Sequence, residues 1–236
     1  MDKGISNVTR RLACLSMILV VWIIVGGPFN TYYLIWNLIL AWIPMLFAMI
    51  FKKNIGREVS RSRNIIVLFS SLIWLLFFPN AVYMVTDYIH LSNDIFYHSN
   101  PDHVSYLGKR KRIYNLDSLP WNNFFSISFA VFLGCALSVL SLYIFHSYIE
   151  KKGGKRIGWI FVTVVHLLSG YAIYLGRFIR FNSWDVIFKP LSLLKFLFLN
   201  IDRVAITFTF YFFLLSLFIY SIFYLFIYVA KTDGKH

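Results

Sequence analysis

The chain has 236 residues, of which 59% are hydrophobic, 20% are aromatic and only 14% are charged. Soluble domains carry about 25% charged residues, so this composition excludes an ordinary soluble domain. The net charge of +13 does not indicate a nucleic-acid-binding protein, because the basic residues stand at the ends of long apolar blocks. The sequence therefore predicts an integral membrane protein whose partner is the lipid bilayer, with no nucleic acid.

Six long apolar blocks without a charged residue follow one another along the chain. A helix needs about 20 such residues to cross a hydrocarbon core of ~30 Å. Four blocks reach this length, the first is one turn short, and the third is long enough only if its helix continues through Pro79 to about Thr86. We predict an all-α, polytopic bundle of about six transmembrane helices that forms a single domain over residues 1–236. The blocks are 12–27, 32–51, 65–78, 124–149, 157–176 and 204–230.

The distribution of Lys and Arg predicts how the bundle is oriented. Fourteen of the 23 basic residues lie in four short segments on one side of the predicted bundle, namely 1–11, 52–63, 150–156 and 231–236. Loops rich in Lys and Arg stay on the cytoplasmic side, so we expect both termini in the cytoplasm and the protein in the cell membrane. The run Lys109-Arg110-Lys111-Arg112 lies on the opposite side and departs from this rule.

Residues 186–199 form an apolar stretch that is too short to span a membrane. Lys189, Ser192 and Lys195 lie on one side of a helical wheel, opposite large apolar residues, and Pro190 suits a first helical turn. We predict an interfacial helix on the outer leaflet, with a buried re-entrant segment as the alternative.

Small residues recur at every fourth position of the fourth block, at Ser126, Ala130, Gly134 and Ser138. Such a row lets another helix approach closely. We expect that helix to belong to the same chain.

A polar row begins where the third block ends, in the sequence Phe-Pro-Asn-Ala-Val-Tyr-Met-Val-Thr-Asp-Tyr-Ile-His at 78–90. At 100° per residue, its polar members fall within about 80° on one face of an α-helix. Asp87 and His90, one turn apart, can share a proton, bind a cation together or hydrogen-bond each other. Ionisable side chains at a membrane boundary are costly and usually functional, although the Asn80 amide also suits the carbonyls freed by Pro79. The members of the row are Asn80, Tyr83, Asp87, His90 and Asp94.

The fifth block ends in a second polar segment, Gly-Arg-Phe-Ile-Arg-Phe-Asn-Ser-Trp-Asp at 176–185. The predicted topology places this segment on the same outer side as Asp87. Arg177 and Arg180, one turn apart, would form a fork for a carboxylate or phosphate, and Asp185 supplies a second acid. The alternative is that the arginines extend to lipid headgroups. We therefore predict an acid–base pair, Asp87 and His90, and a substrate-binding set of Asn80, Tyr83, Arg177, Arg180, Asn182 and Asp185.

Both polar segments resemble the motifs of a known family. The pattern Phe-Pro-Asn-Ala-x-Tyr-x-x-Thr-Asp-x-x-His at 78–90, with Gly-Arg-Phe-x-Arg-x-Asn-Ser-Trp-Asp at 176–185, resembles the bacterial multi-pass membrane family called domain of unknown function 1361. The pattern Asn-Leu-x-Leu-Ala-Trp-Ile-Pro, which ends at Pro44, is similar to the second helix of that family. The resemblance covers nearly the whole chain and implies membership and topology, but no known reaction.

One position departs from the family pattern. The outer loop of the family often closes with Pro-x-Trp-Tyr-Asp before the fourth helix, whereas this chain has Leu119-Pro120-Trp121-Asn122-Asn123. The acid is absent here, and Asp117 is the candidate to replace it.

Other ionisable residues give weaker signals. Three histidines and three aspartates of the outer loop offer metal ligands, but their spacing matches no zinc signature, so we predict no metal site. His146 and His166 lie in apolar blocks, where we expect hydrogen-bonded core residues. The sequence identifies no cofactor and no protein partner. The loop ligands considered are His90, His98, His103, Asp87, Asp94 and Asp102.

Three functions are compatible with this pattern. The first is an envelope enzyme that binds an anionic lipid headgroup or envelope precursor, with the arginines on the anion and Asp87–His90 as acid and base. The second is a small transporter in which Asp87 and His90 relay protons or cations. The third is a non-catalytic membrane subunit whose arginine–aspartate pairs are structural.

Overall fold

The computed structural model describes residues 3–27, 29–101, 111–179 and 202–233, and most of them are helical. Five helices are long and apolar enough to cross a membrane, which confirms an all-α bundle of the membrane type. Shorter pieces extend them: a 3₁₀ turn at Phe29–Thr31, a 3₁₀ helix at Met84–Asn93 and a π-helical segment at Leu175–Ile179. The long helices are α1 (Lys3–Gly26), α2 (Tyr33–Ile55), α3 (Arg61–Tyr83), α4 (Ser118–Tyr174) and α5 (Arg203–Asp233).

The longest helix, α4, consists of two antiparallel halves joined at Gly154. Gly154 has φ +87° and ψ 166°, a conformation that is essentially restricted to glycine. Beyond it the chain folds back, because the ring centroids of His146 and Trp159 lie 5.2 Å apart, whereas a straight helix would separate these residues by about 20 Å. We call residues 118–153 α4a and residues 155–174 α4b. With this division, the described residues form six apolar helical segments, in agreement with the sequence-based prediction.

One end of the bundle collects the basic loops, and we call it the basic end. Arg63, at the start of α3, donates hydrogen bonds to the carbonyls of Asn54 (3.3 Å) and Ile55 (3.0 Å) at the end of α2. The ring of Phe51 in α2 stacks on that of Phe145 in α4a, with centroids 4.1 Å apart. The two segments predicted to be cytoplasmic loops, 52–63 and 150–156, therefore lie at the same end.

The opposite end, which we call the loop end, holds the connection between α3 and α4a. Asn122 Nδ2 donates to the Gly26 carbonyl (2.8 Å) and Trp22 Nε1 donates to Ser126 Oγ (3.0 Å), so the end of α1 is attached to the start of α4a. Segments predicted to lie outside thus meet at one end. Which end faces the cytoplasm stays a prediction, and the interfacial helix predicted at 186–199 lies outside the described residues.

A short β-hairpin, which the sequence analysis did not predict, lies in the loop-end connection. Strand β1 (Tyr97–Ser99) pairs antiparallel with β2 (Arg112–Tyr114). Buried Asn115 follows β2, donates from Nδ2 to the Ile95 carbonyl (2.7 Å) and accepts the backbone N–H of Asp117 (2.9 Å). These bonds attach the hairpin to the N-terminus of α4a.

Close helix contacts in the core occur at small residues, as predicted for the fourth block. A Cβ built on Gly134 would lie 2.8 Å from the backbone carbonyl of Ala81, so α4a and α3 touch through their backbones. The same is true of α4b and α5, where a Cβ on Gly170 would lie 2.5 Å from the Thr209 carbonyl. The small-residue row of α4a therefore packs within the chain.

Candidate functional site

The polar row changes its helical winding at Met84. The α-helix continues through Pro79 to Tyr83, and the chain then forms the 3₁₀ helix to Asn93. A 3₁₀ helix has three residues per turn, so residues three apart lie directly above each other. Asp87 and His90 therefore share one face. The prediction of a single α-helical stripe is wrong beyond Tyr83, because the winding is no longer 100° per residue.

Asp87 lies against α2 and is only 1% exposed. Asn37 Nδ2 donates to its Oδ2 atom at 2.9 Å, while its Oδ1 atom is buried and has no hydrogen-bond partner among the described residues. One turn further towards the loop end, the His90 ring packs against the Tyr33 ring with centroids 4.6 Å apart. The Tyr33 hydroxyl is also buried and finds no partner in the described ranges. Two successive turns of α2 thus contact the acid–base pair.

Arg177 reaches this cluster from the π-helical segment that follows α4b. Its Nη1 atom donates to the Tyr83 hydroxyl at 3.3 Å, and its guanidinium carbon lies 6.0 Å from the centroid of the Tyr83 ring. Its positive charge also acts on Asp87, His90 and Tyr33. Across the part of the chain that the structure describes, no carboxylate lies within 4.0 Å of Arg177. Among the described residues, the half-buried guanidinium therefore has donors left that a ligand can use.

The other members of the row contact different elements. Asn80 Nδ2 donates to the Phe77 carbonyl (3.2 Å), three residues before it, whereas the carbonyl that Pro79 leaves without its helical donor is that of Leu75. Asp94 follows the 3₁₀ helix and accepts a hydrogen bond from Asn123 Nδ2 of α4a at 2.8 Å. Asn123 stands where the resemblance noted in the sequence predicts an acid, and Asp117, the candidate to replace it, is exposed at the start of α4a. The row thus connects its own helix to α2, to α4a and to the π-helical segment.

Four of the predicted site residues meet at the loop end: Tyr83, Asp87, His90 and Arg177. Arg180, Asn182 and Asp185 lie outside the described residues, so their roles stay predictions. Sequence reasoning missed Asn37 and Tyr33. Asn37 had a signal, because it is an isolated amide in an apolar block and the first residue of the Asn-Leu-x-Leu-Ala-Trp-Ile-Pro pattern. Tyr33 had none, since the chain contains 15 tyrosines.

The described ranges contain no group of three or more His, Cys, Asp or Glu side chains that could hold a metal ion. His103 and Asp102 of the predicted loop ligands lie outside those ranges.

A comparison of the sequence with known families identifies a group of related proteins. A family model described as "Protein of unknown function (DUF1361)" matches residues 36–219. The chain belongs to this family. The DUF1361 match contains Asn37, Asp87, His90 and Arg177, whereas Tyr33 precedes it. No curated protein and no solved structure matches the chain.

Proposed function

We propose that the loop end of the bundle binds an anionic group at Arg177 and that Asp87 and His90 act on the bound molecule as acid and base. The substrate class is an anionic lipid headgroup or an envelope precursor that reaches the site from the membrane surface. The protein is then a membrane-embedded envelope enzyme, with Arg180, Asn182 and Asp185 as further substrate-binding residues.

The observation that carries this proposal is that the loop end holds three polar groups whose bonding capacity is not used up by the described residues. They are the Arg177 guanidinium, the buried Asp87 Oδ1 atom and the buried Tyr33 hydroxyl. Buried polar groups are normally hydrogen-bonded, and leaving one without a partner costs about 1–3 kcal/mol. A phosphate or carboxylate would accept hydrogen bonds from Arg177 and Tyr33, and from Asp87 Oδ1 when Asp87 is protonated, so its binding would remove this cost.

The two oxygens of Asp87 are suited to different tasks. Oδ2 accepts from Asn37, which fixes the orientation of the carboxyl group. Oδ1 has no hydrogen-bond partner among the described residues, so it is the oxygen that carries the proton when Asp87 acts as an acid. Exposed His90 stands one 3₁₀ turn further out. It can exchange the proton with water and restore Asp87 after each reaction.

Thermal unfolding in detergent tests the proposal, with dihexanoyl phosphatidylglycerol as the anionic probe and dihexanoyl phosphatidylcholine as its zwitterionic counterpart. At a hundred times Kd, binding stabilises a protein by about 2.7 kcal/mol, which for this size raises Tm by on the order of 5–10 °C. We expect this rise for the wild type with the anionic probe. Arg177→Gln should abolish it, whereas Asp87→Asn should retain it.

The matched control is Arg112→Gln, which removes an exposed arginine of β2 at the same end of the bundle. It should keep the full response to the anionic probe. If Arg112→Gln and Arg177→Gln lose the response equally, the probe binds by surface charge alone. If Asp87→Asn and Arg177→Gln both unfold early and no probe shifts the wild type, the cluster is structural and the enzyme proposal fails.

A further inference from the structure

A second group of ionisable side chains lies inside the bundle, between α4a, α4b and α5. The Nδ1 atom of fully buried His146 lies 2.7 Å from the Tyr220 hydroxyl, and its Nε2 atom lies 3.7 Å from Glu150 Oε2. The ring centroid of His166 lies 5.6 Å from that of Tyr220. The expectation of a hydrogen-bonded core residue is confirmed for His146. For His166 it stays a prediction, because both ring nitrogens are buried and neither has a hydrogen-bond partner in the described ranges.

These four side chains form a row that begins at the basic end. Glu150 is one turn from Gly154 and its side chain is 33% exposed. His146 lies one turn deeper on α4a, and Tyr220 faces it from α5. His166 lies about 18 Å from Gly154 along α4b by helical rise, which is more than half of a hydrocarbon core of ~30 Å. The row therefore extends from the surface of the basic end into the middle of the bundle.

The chemistry of the row differs from that of a packed apolar core. His166 is 1% exposed, and burying its two nitrogens without partners among the described residues carries a cost that an apolar residue of similar size would avoid. A water molecule next to the ring would satisfy them. An imidazole and a tyrosine hydroxyl can each donate and accept a hydrogen bond, so each can receive a proton on one side and release one on the other.

We propose that Glu150, His146, Tyr220 and His166 form a proton path from water at the basic end to the bundle interior. Glu150 takes a proton from water and passes it to His146 Nε2. His146 releases its Nδ1 proton to the Tyr220 oxygen, and the original Tyr220 proton passes through a water molecule to His166. The same steps in reverse return a proton from His166 to water at the basic end and restore the first tautomer of His146, so the path exchanges protons with water without net transfer and needs no further reactant.

The groups around the row are compatible with this role. The ring of Tyr224 in α5 lies beside those of His146 and Tyr220, with centroids 5.2 Å and 6.1 Å away. Trp159 of α4b packs against the His146 ring. From α3, the Phe78 ring faces His166, with centroids 6.0 Å apart. Glu150 is partly exposed and its Oε2 atom lies 3.7 Å from His146 Nε2, which makes it the entrance.

The path does not depend on the proposed function of the loop end. His166 and Arg177 are about 16 Å apart along the helix by helical rise, and the Phe78 ring covers one side of His166. A protein that failed to bind anions at Arg177 would still contain the whole row. The two proposals can therefore fail separately.

Hydrogen–deuterium exchange at the His166 ring tests the path directly. The full chain, labelled with ¹⁵N in its histidine rings and placed in lipid nanodiscs, is transferred to D₂O and followed by NMR, and the His166→Phe variant identifies the signal. We expect the His166 ring to exchange within an hour in the wild type. Tyr220→Phe, which removes the hydroxyl and leaves the ring, should slow this exchange at least tenfold. His98, exposed in β1, is the internal reference and should exchange at once in every variant.

The matched control is Tyr211→Phe, which removes a hydroxyl from the same helix at a position that is 59% exposed. It should leave the exchange at His166 unchanged. Glu150→Gln provides a second variant at a partly exposed position and should also slow the exchange at least tenfold. The proposal is overturned if the His166 ring exchanges as fast in Tyr220→Phe and Glu150→Gln as in the wild type. It is equally overturned if the ring in the wild type does not exchange over several days.

Discussion

The polar cluster at the loop end and the histidine row inside the bundle differ in the backbone that carries them. Asp87 and His90 lie on a 3₁₀ helix, and Arg177 lies on a π-helical segment. His146, His166 and Tyr220 lie on regular α-helices. Irregular helical turns direct neighbouring side chains towards different helices and are frequent at functional sites. At the loop end, side chains from three elements therefore point at one place, whereas the interior row follows the regular spacing of its helices.

The two regions also differ in the chemical group that each central hydrogen bond stabilises. At the loop end, the Asn37 amide supports a carboxyl group that is almost fully buried. In the interior, the Tyr220 hydroxyl supports a buried imidazole. Hydrogen bonds to a charged group contribute more to stability than those between neutral groups. The comparison therefore predicts that loss of one partner is more costly at the loop end.

The largest effect is expected for Asn37→Leu. The variant removes the donor to Asp87 Oδ2 and leaves the carboxyl group without this bond, so the free energy of unfolding should fall by about 2–3 kcal/mol. Unfolding by SDS in mixed micelles measures it. The double variant Asn37→Leu with Asp87→Leu removes both partners and should recover most of the loss. If the double variant is as unstable as the single one, the cost does not come from the unsupported carboxyl group.

A smaller, pH-dependent effect is expected for Asn123→Asp, which restores the acid of the family pattern. The new carboxylate would stand at hydrogen-bond distance from Asp94 Oδ1, now 2.8 Å from the Asn123 amide. At pH 5 the two groups can share a proton, and at pH 8 they repel each other. Stability should therefore fall as the pH rises, by on the order of 1–2 kcal/mol between pH 5 and pH 8 beyond any change in the wild type. An equal pH dependence in Asn123→Asp and wild type would show that the two side chains do not meet.

The smallest effect is expected in the interior, for the stability of Tyr220→Phe. The variant loses the neutral hydrogen bond to His146 and keeps the aromatic packing, so the free energy of unfolding should fall by about 1 kcal/mol. Tyr211→Phe, measured in the same micelles, should be within ~0.5 kcal/mol of the wild type. A loss for Tyr220→Phe that exceeds the loss for Asn37→Leu would reverse the comparison between the two regions.

The fold and part of the site could be predicted because the signals were local. Apolar length predicted the six helical segments, and the continuation of α3 through Pro79 followed from the length that a span requires. The change to 3₁₀ winding at Met84 could not be predicted, since the energetic difference between the two windings depends on contacts with other helices. Tyr33 could not be predicted either, because its contact with His90 depends on the register between α2 and the 3₁₀ helix.

The break at Gly154 means that α4a and α4b act as two long arms joined by a single residue. Arg177 stands about 34 Å along the second arm from that joint, by helical rise. At this radius, a rotation of about 5° at Gly154 moves the guanidinium sideways by roughly 3 Å, about the length of one hydrogen bond. The position of the Arg177 charge therefore depends on the angle between the two helices that Gly154 joins.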